Sequence, residues 1–127
     1  MIENISAGFL VFAFSVVAIF QLALALGAPL GAYAYGGSRE GKLPVGFRVN
    51  SVFSMLLMLA IAGHYLAQIG VFEPLLDSSG NQIVNWVLVA FSGLSALANN
   101  FSRSKKERLA WGPATILMLA AALVVAL

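Results

Sequence analysis

The sequence predicts an all-α integral membrane protein, a single four-helix bundle over residues 1–127 with both termini outside and two basic cytoplasmic connections. Three observations predict it. The chain is 61% apolar and 9% charged, whereas an ordinary soluble domain carries about 25% charged residues. Its apolar residues fall into four runs, each close to the roughly 20 residues that a helix needs to cross a bilayer. All seven Lys and Arg side chains (Arg39, Lys42, Arg48, Arg103, Lys105, Lys106 and Arg108) lie in the first and third connections between those runs.

Each run reads as a helix, because barrel strands need only about 10 residues and alternate polar with apolar side chains. The first run, residues 5–26, lacks the basic start and small-residue cleavage site of a secretory signal and is long enough to be a retained span. Gly27 and Pro29 punctuate its end. Residues 27–48 are the longest stretch that lipid cannot hold. There Tyr33 and Tyr35 suit the headgroup level, Gly36-Gly37 is a turn signal, and Leu43-Pro44 leads into the next helix. The second helix, residues 49–72, is interrupted by Asn50, Ser51, Ser54, His64 and Gln68. A short polar connection, residues 73–81, ends in Ser78-Ser79-Gly80-Asn81. The third helix covers residues 82–101, with Trp86 as an interfacial anchor, and residues 102–108 make a tight basic turn. The fourth covers residues 109–127, anchored by Trp111, with Pro113 in its first turn, where proline is tolerated.

Charge sets the orientation. The termini and the second connection hold only Glu3, Glu73 and Asp77, so the positive-inside rule puts the two basic connections in the cytoplasm. The basic residues are then topology determinants that also attract anionic lipid, at about 1 kcal/mol per cation. The glycine-rich connection is not a phosphate loop, since it lacks the Gly-Lys-Ser/Thr ending and a preceding strand. Nucleic acid is not an expected partner, because neither basic connection offers a helix or strand to enter a groove. Asn4-Ile5-Ser6 and Asn100-Phe101-Ser102 match the glycosylation pattern by chance. With no cysteine, the chain has no disulfide, thiolate metal site or thiol nucleophile.

A polar side chain in lipid is costly and normally faces the bundle interior, and depth along the helices decides which ones can meet. At about 1.5 Å per residue, Gln21, Ser54, Ser95 and Thr115 share a layer near the cytoplasmic end. Below it, at the rim, come Asn50, Ser51, Asn99, Asn100, Ser102 and Trp111. Small residues at Ala23, Gly27 and Gly31, and at Ser92, Ala96 and Asn100, allow close backbone approach. These residues outline a cytoplasm-facing pocket lidded by residues 27–48. His64 belongs to another layer, roughly 15 Å from Gln21, where Ser92 or Gln68 would bond its imidazole and form a possible second polar site. No second histidine or intramembrane carboxylate accompanies His64, so no metal or cofactor is expected.

The spans hold no Asp, Glu, Lys or Arg, which argues against a voltage sensor or a carboxylate-coupled pump. Without a carboxylate at the depth of His64, a Ser-His-Asp arrangement cannot be assembled. Glu40 and Glu107, each flanked by cations, read as surface ion pairs.

The pattern from Gln21 through Ala23-Leu24-Ala25-Leu26-Gly27-Ala28-Pro29 to Gly31, then Tyr35-Gly36-Gly37, Gly41, Leu43-Pro44 and Arg48, resembles a group of small bacterial four-helix integral membrane proteins. So do Asn100, Ser102, Ser104, Lys105, Glu107, Arg108, Trp111 and Pro113. The resemblance implies a bacterial inner-membrane location, brings no activity with it, and directs attention to the cytoplasmic rim rather than to His64.

The leading functional expectation is non-enzymatic binding of a lipid headgroup, small ligand or partner at that rim, where Asn99, Asn100, Ser102, Ser104, Glu107 and Arg108 would meet Gln21, Tyr33, Tyr35, Arg39 and Arg48. The alternatives are a small-solute transporter or channel acting as an oligomer, and a membrane enzyme acting on a lipid. Expected partners are membrane lipids and a second copy or a larger membrane complex.

Overall fold

Capping chemistry, rather than the limits of the apolar runs, sets the helix ends. In the computed structural model, which describes residues 1–127, the helices are α1 (Ile2–Ala25), α2 (Val45–Gln68), α3 (Ser78–Asn100) and α4 (Lys105–Ala126). Each begins three or four residues before its apolar run. Asp77 caps α3 by accepting the Gly80 N–H at 2.7 Å, and Ser104 caps α4 by accepting the Glu107 N–H at 3.2 Å, satisfying donors that a helix start leaves free. Pro44 precedes α2, where its fixed φ suits a helix start.

Glycines end the first two helices. Gly27 (φ +96°) lets Ala28 N–H reach the Ala23 carbonyl and its own N–H reach that of Leu24. Gly70 (φ +83°) repeats the arrangement, with Val71 on Leu66 and itself on Ala67. Both are Schellman closures, which need the left-handed conformation that glycine adopts at little cost. Gly70 therefore stops α2 at Gln68, although the apolar run continues to Phe72. The spaced small residues Ala23, Gly27 and Gly31 do not form one helical stripe, because α1 is over by Ala25. Pro113 lies well inside α4 rather than in its first turn.

All four helices are long and apolar enough to cross a membrane, and there is no strand. Burial departs from a water-soluble pattern on the outside. Only 25 of 127 residues are buried, mostly apolar ones joined by Ser51, Asn85, Ser92 and Thr115, while Phe12, Phe53, Ile83, Leu94 and Ile116 are exposed. An outward apolar surface around an interior that also holds polar side chains is what a lipid solvent selects.

The helices run up, down, up, down, with α1 packed on α2 and α4, and α3 on α4. The core joins Ala7, Leu10 and Phe14 to Ile61, Ala62 and Tyr65, and to Leu88, Met118, Ala121 and Ala122. Gln82 Nε2 donates to the Ala126 carbonyl at 2.6 Å, tying the start of α3 to the end of α4. The backbones of α2 and α3 stay apart, and these helices meet through side chains.

Residues 26–44 fold back under the bundle through two short 3-10 turns, Gly31–Tyr33 and Tyr35–Gly37. Leu24, Ala34 and Leu43 form a small core of their own, and the Gly31 N–H donates to the Gly41 carbonyl at 2.9 Å. A Cβ on Gly31 would run into the carbonyls of Arg39 and Gly41, whereas one on Gly46 would meet nothing. Gly31→Ala should therefore cost about 1–3 kcal/mol, and Gly46→Ala should leave stability unchanged or raise it by up to about 1 kcal/mol, both read as thermal unfolding of the purified protein in micelles.

Candidate functional site

The folded-back connection is held by the first turns of α4. Ser104 Oγ, which caps α4, also donates to the Ala32 carbonyl. Trp111 Nε1 donates to the Tyr33 carbonyl at 3.1 Å, and the Gly36 N–H donates to Glu107 Oε2 at 2.9 Å. The close approach depends on Gly37, where a Cβ would stand 2.6 Å from the Ser104 Cβ. Tyr35 takes a positive φ of 53°, an uncommon conformation for a bulky residue, and turns its ring edge-on to Phe47 at 4.9 Å. Its hydroxyl lies 3.2 Å from Ser51 Oγ and accepts from Asn50 Nδ2 at 2.8 Å. Tyr33 and Tyr35 both reach the lining of the cavity above.

Above this lid lies a cavity of about 260 Å³. Gln21, Ser54, Ser95 and Thr115, the four members of the expected inner layer, all line it. Tyr33, Tyr35, Asn99 and Glu107 from the expected rim set join them, together with Ser92. Phe14, Met58, Phe91 and Met118 line its apolar part, with Phe20 and Trp111 packed edge to face at 5.0 Å. Trp111, expected as an interfacial anchor, is a wall of this cavity.

The other rim residues do structural work outside it. Arg48 Nε donates to the Ala25 carbonyl at 3.0 Å, placing a cation on the negative end of α1. Arg108 donates to the Ser102 carbonyl at 2.6 Å. Asn100 Nδ2 spans the Ala96 and Gly112 carbonyls, and a Cβ on Gly112 would stand 2.7 Å from Asn100 Oδ1. Ser102 Oγ accepts the Ser104 N–H at 3.1 Å. Arg39 is exposed.

Glu107 is not the surface ion pair its cationic neighbours imply. It is 7% exposed, and its hydrogen-bond partner is the Gly36 amide rather than a cation. Sequence spacing points Glu107 at the rim, but only the fold-back of the first connection covers it. Two further buried polar atoms on cavity residues, Gln21 Oε1 and Ser92 Oγ, have no hydrogen-bond partner. A third, Tyr65 Oη, is in the apolar core.

His64 pairs with neither of its expected partners. Its Nε2 lies 2.7 Å from Asn85 Oδ1, and Asn85 Nδ2 donates to Gln68 Oε1 at 3.3 Å. The reason is register. Because α2 stops at Gln68 and α3 starts at Ser78, His64 sits nearer the C-terminal end of α2 and Ser92 farther from the start of α3 than the apolar runs imply. Asn85 was the missed residue, and an amide within an apolar run was the signal for it. No three His, Asp or Glu side chains come together as a metal site would need.

Asn85→Ala removes the middle of this chain and should cost about 1 kcal/mol. Ser92→Ala, which removes an unpartnered buried hydroxyl, should instead stabilise the ligand-free protein by about 1 kcal/mol; thermal unfolding of both variants in micelles measures the difference. Comparison of the chain with protein-family models, with curated proteins and with solved structures finds no match, so the functional reading rests on the cavity and the residues that line it.

Proposed function

We propose that this protein is a non-enzymatic binding protein of the bacterial inner membrane, and that its cavity, at the end bearing the basic connections, holds a small, largely apolar molecule with a polar group. The observation that carries this reading is the pair of unpartnered buried atoms, Gln21 Oε1 and Ser92 Oγ, on residues that line one cavity. Leaving a buried polar atom unbonded costs about 1–3 kcal/mol, and a ligand that bonds both recovers that cost on binding.

The chemistry of the lining supports binding over catalysis. The serines and the threonine have no imidazole beside them, since His64 is engaged with Asn85 in the other layer. Binding is also favoured over conduction. Phe14, on the lining, stacks on Tyr65 at 6.2 Å and lies 6.5 Å from Phe91, so packed aromatic rings border the cavity on the side of the apolar core.

Filling the space tests the reading. Small molecules extracted from purified wild-type protein and identified by mass spectrometry should include one that is depleted at least about tenfold in Ser95→Phe, a loss of about 1.4 kcal/mol of binding. Identical extracts from the two proteins would overturn it.

The basic connections face the cytoplasm in this reading, with both termini outside, because seven cations gather at one end of the bundle. Cysteines placed at Ser38 and Ser79 should react with a membrane-impermeant maleimide from opposite sides, residue 79 in intact cells and residue 38 only after lysis.

A further inference from the structure

We infer that the ligand of this cavity is a small organic cation, a protonated amine on an apolar or aromatic body. The inference rests on the cavity reading above and names the ligand class for it.

Sign of charge is the first argument. Glu107 is the one charged residue on the lining, and none of the seven cations contributes to it. Arg48 and Arg108 are spent on backbone carbonyls, and Lys106 lies outside, 5.8 Å from the Tyr33 ring centroid. An anionic ligand would face a carboxylate with no counter-charge.

The second argument is what Glu107 lacks. A carboxylate offers about four acceptor positions, and here the Gly36 amide occupies one of them. That partner is neutral, so it does not balance the charge that this 7% exposed group carries when ionised. Removing a carboxylate from water is expensive unless it is paired. An ammonium group supplies the pairing and also fills the open acceptor positions.

Aromatic faces supply the third. Tyr33, Tyr35 and Trp111 reach the lining from the segments that carry Gly36 and Glu107, and Phe20 packs against Trp111. Such rings attract a cation through their negative faces, most strongly when water is excluded. Deeper in, the free Gln21 Oε1 and Ser92 Oγ accept a second donor from the same molecule. The volume, about 260 Å³, lies below the roughly 300–1,000 Å³ of sites for drug-sized ligands, which limits the ligand to a small body.

Three probes of one shape separate charge from fit: benzylamine, benzyl alcohol and benzoate, each titrated at pH 7 against the purified full chain in nanodiscs by calorimetry. Benzylamine, protonated at that pH, should bind about tenfold more tightly than benzyl alcohol, and benzoate should not bind. In Glu107→Gln the amine and the alcohol should bind alike; the carboxamide oxygen still accepts the Gly36 N–H, so the lid stays in place. If wild-type protein binds the alcohol as well as the amine, and Ser95→Phe abolishes both, the cation inference falls and the cavity reading stands. A preference for benzoate also overturns the inference. If none of the three binds, both fall. The wild-type comparison decides the matter even if Glu107→Gln fails to fold.

Discussion

A polar atom inside a bilayer has no water to turn to, so every donor and acceptor at depth must find its partner within the protein. That constraint organises this molecule. The segment between α1 and α2 is too long and too polar to enter lipid, and it meets its needs by folding under the bundle onto the start of α4. Ser104 serves both sides at once, capping a helix with its lone pair and holding the Ala32 carbonyl with its proton. Glu107 and Trp111, on successive turns of the same helix, take the Gly36 amide and the Tyr33 carbonyl. These bonds make a lid out of a loop, and the lid closes one end of a cavity lined by all four helices.

Charge is sorted by the same fold. The cations concentrate at one end, where they close helix ends or stand in solvent: Arg48 on the last turn of α1, Arg108 on the turn before α4, Arg39 exposed. The single carboxyl among them that turns inward meets the neutral Gly36 amide. A basic sequence segment therefore covers a buried carboxyl, which an inventory of net charge does not reveal.

The two polar layers differ in one respect that separates scaffold from site. His64, Asn85 and Gln68 complete one another's bonds and link two helices whose backbones stay apart. Gln21 and Ser92 do not complete theirs. A closed set of bonds is explained by holding helices together, whereas the open set on the wall of the cavity is what the proposed ligand would complete.

Four spans and the clustering of cations were legible in the sequence, because the hydrophobic effect and backbone satisfaction act on composition and length alone. So was the inner layer of Gln21, Ser54, Ser95 and Thr115, since helical rise converts residue number into depth. The partner of His64 was not legible. Gly70 and Asp77 moved two helix ends by four residues each, and that shift exchanged Ser92 for Asn85. Nor was the burial of Glu107, or the inward turn of Trp111, written in the neighbours of either residue. Composition and spacing determined that the chain forms apolar rods and which polar groups lie at a common depth. Only the tertiary structure decided which of those groups are satisfied, because that depends on where a loop of 3-10 turns and positive-φ residues comes to rest against a helix far away in the chain.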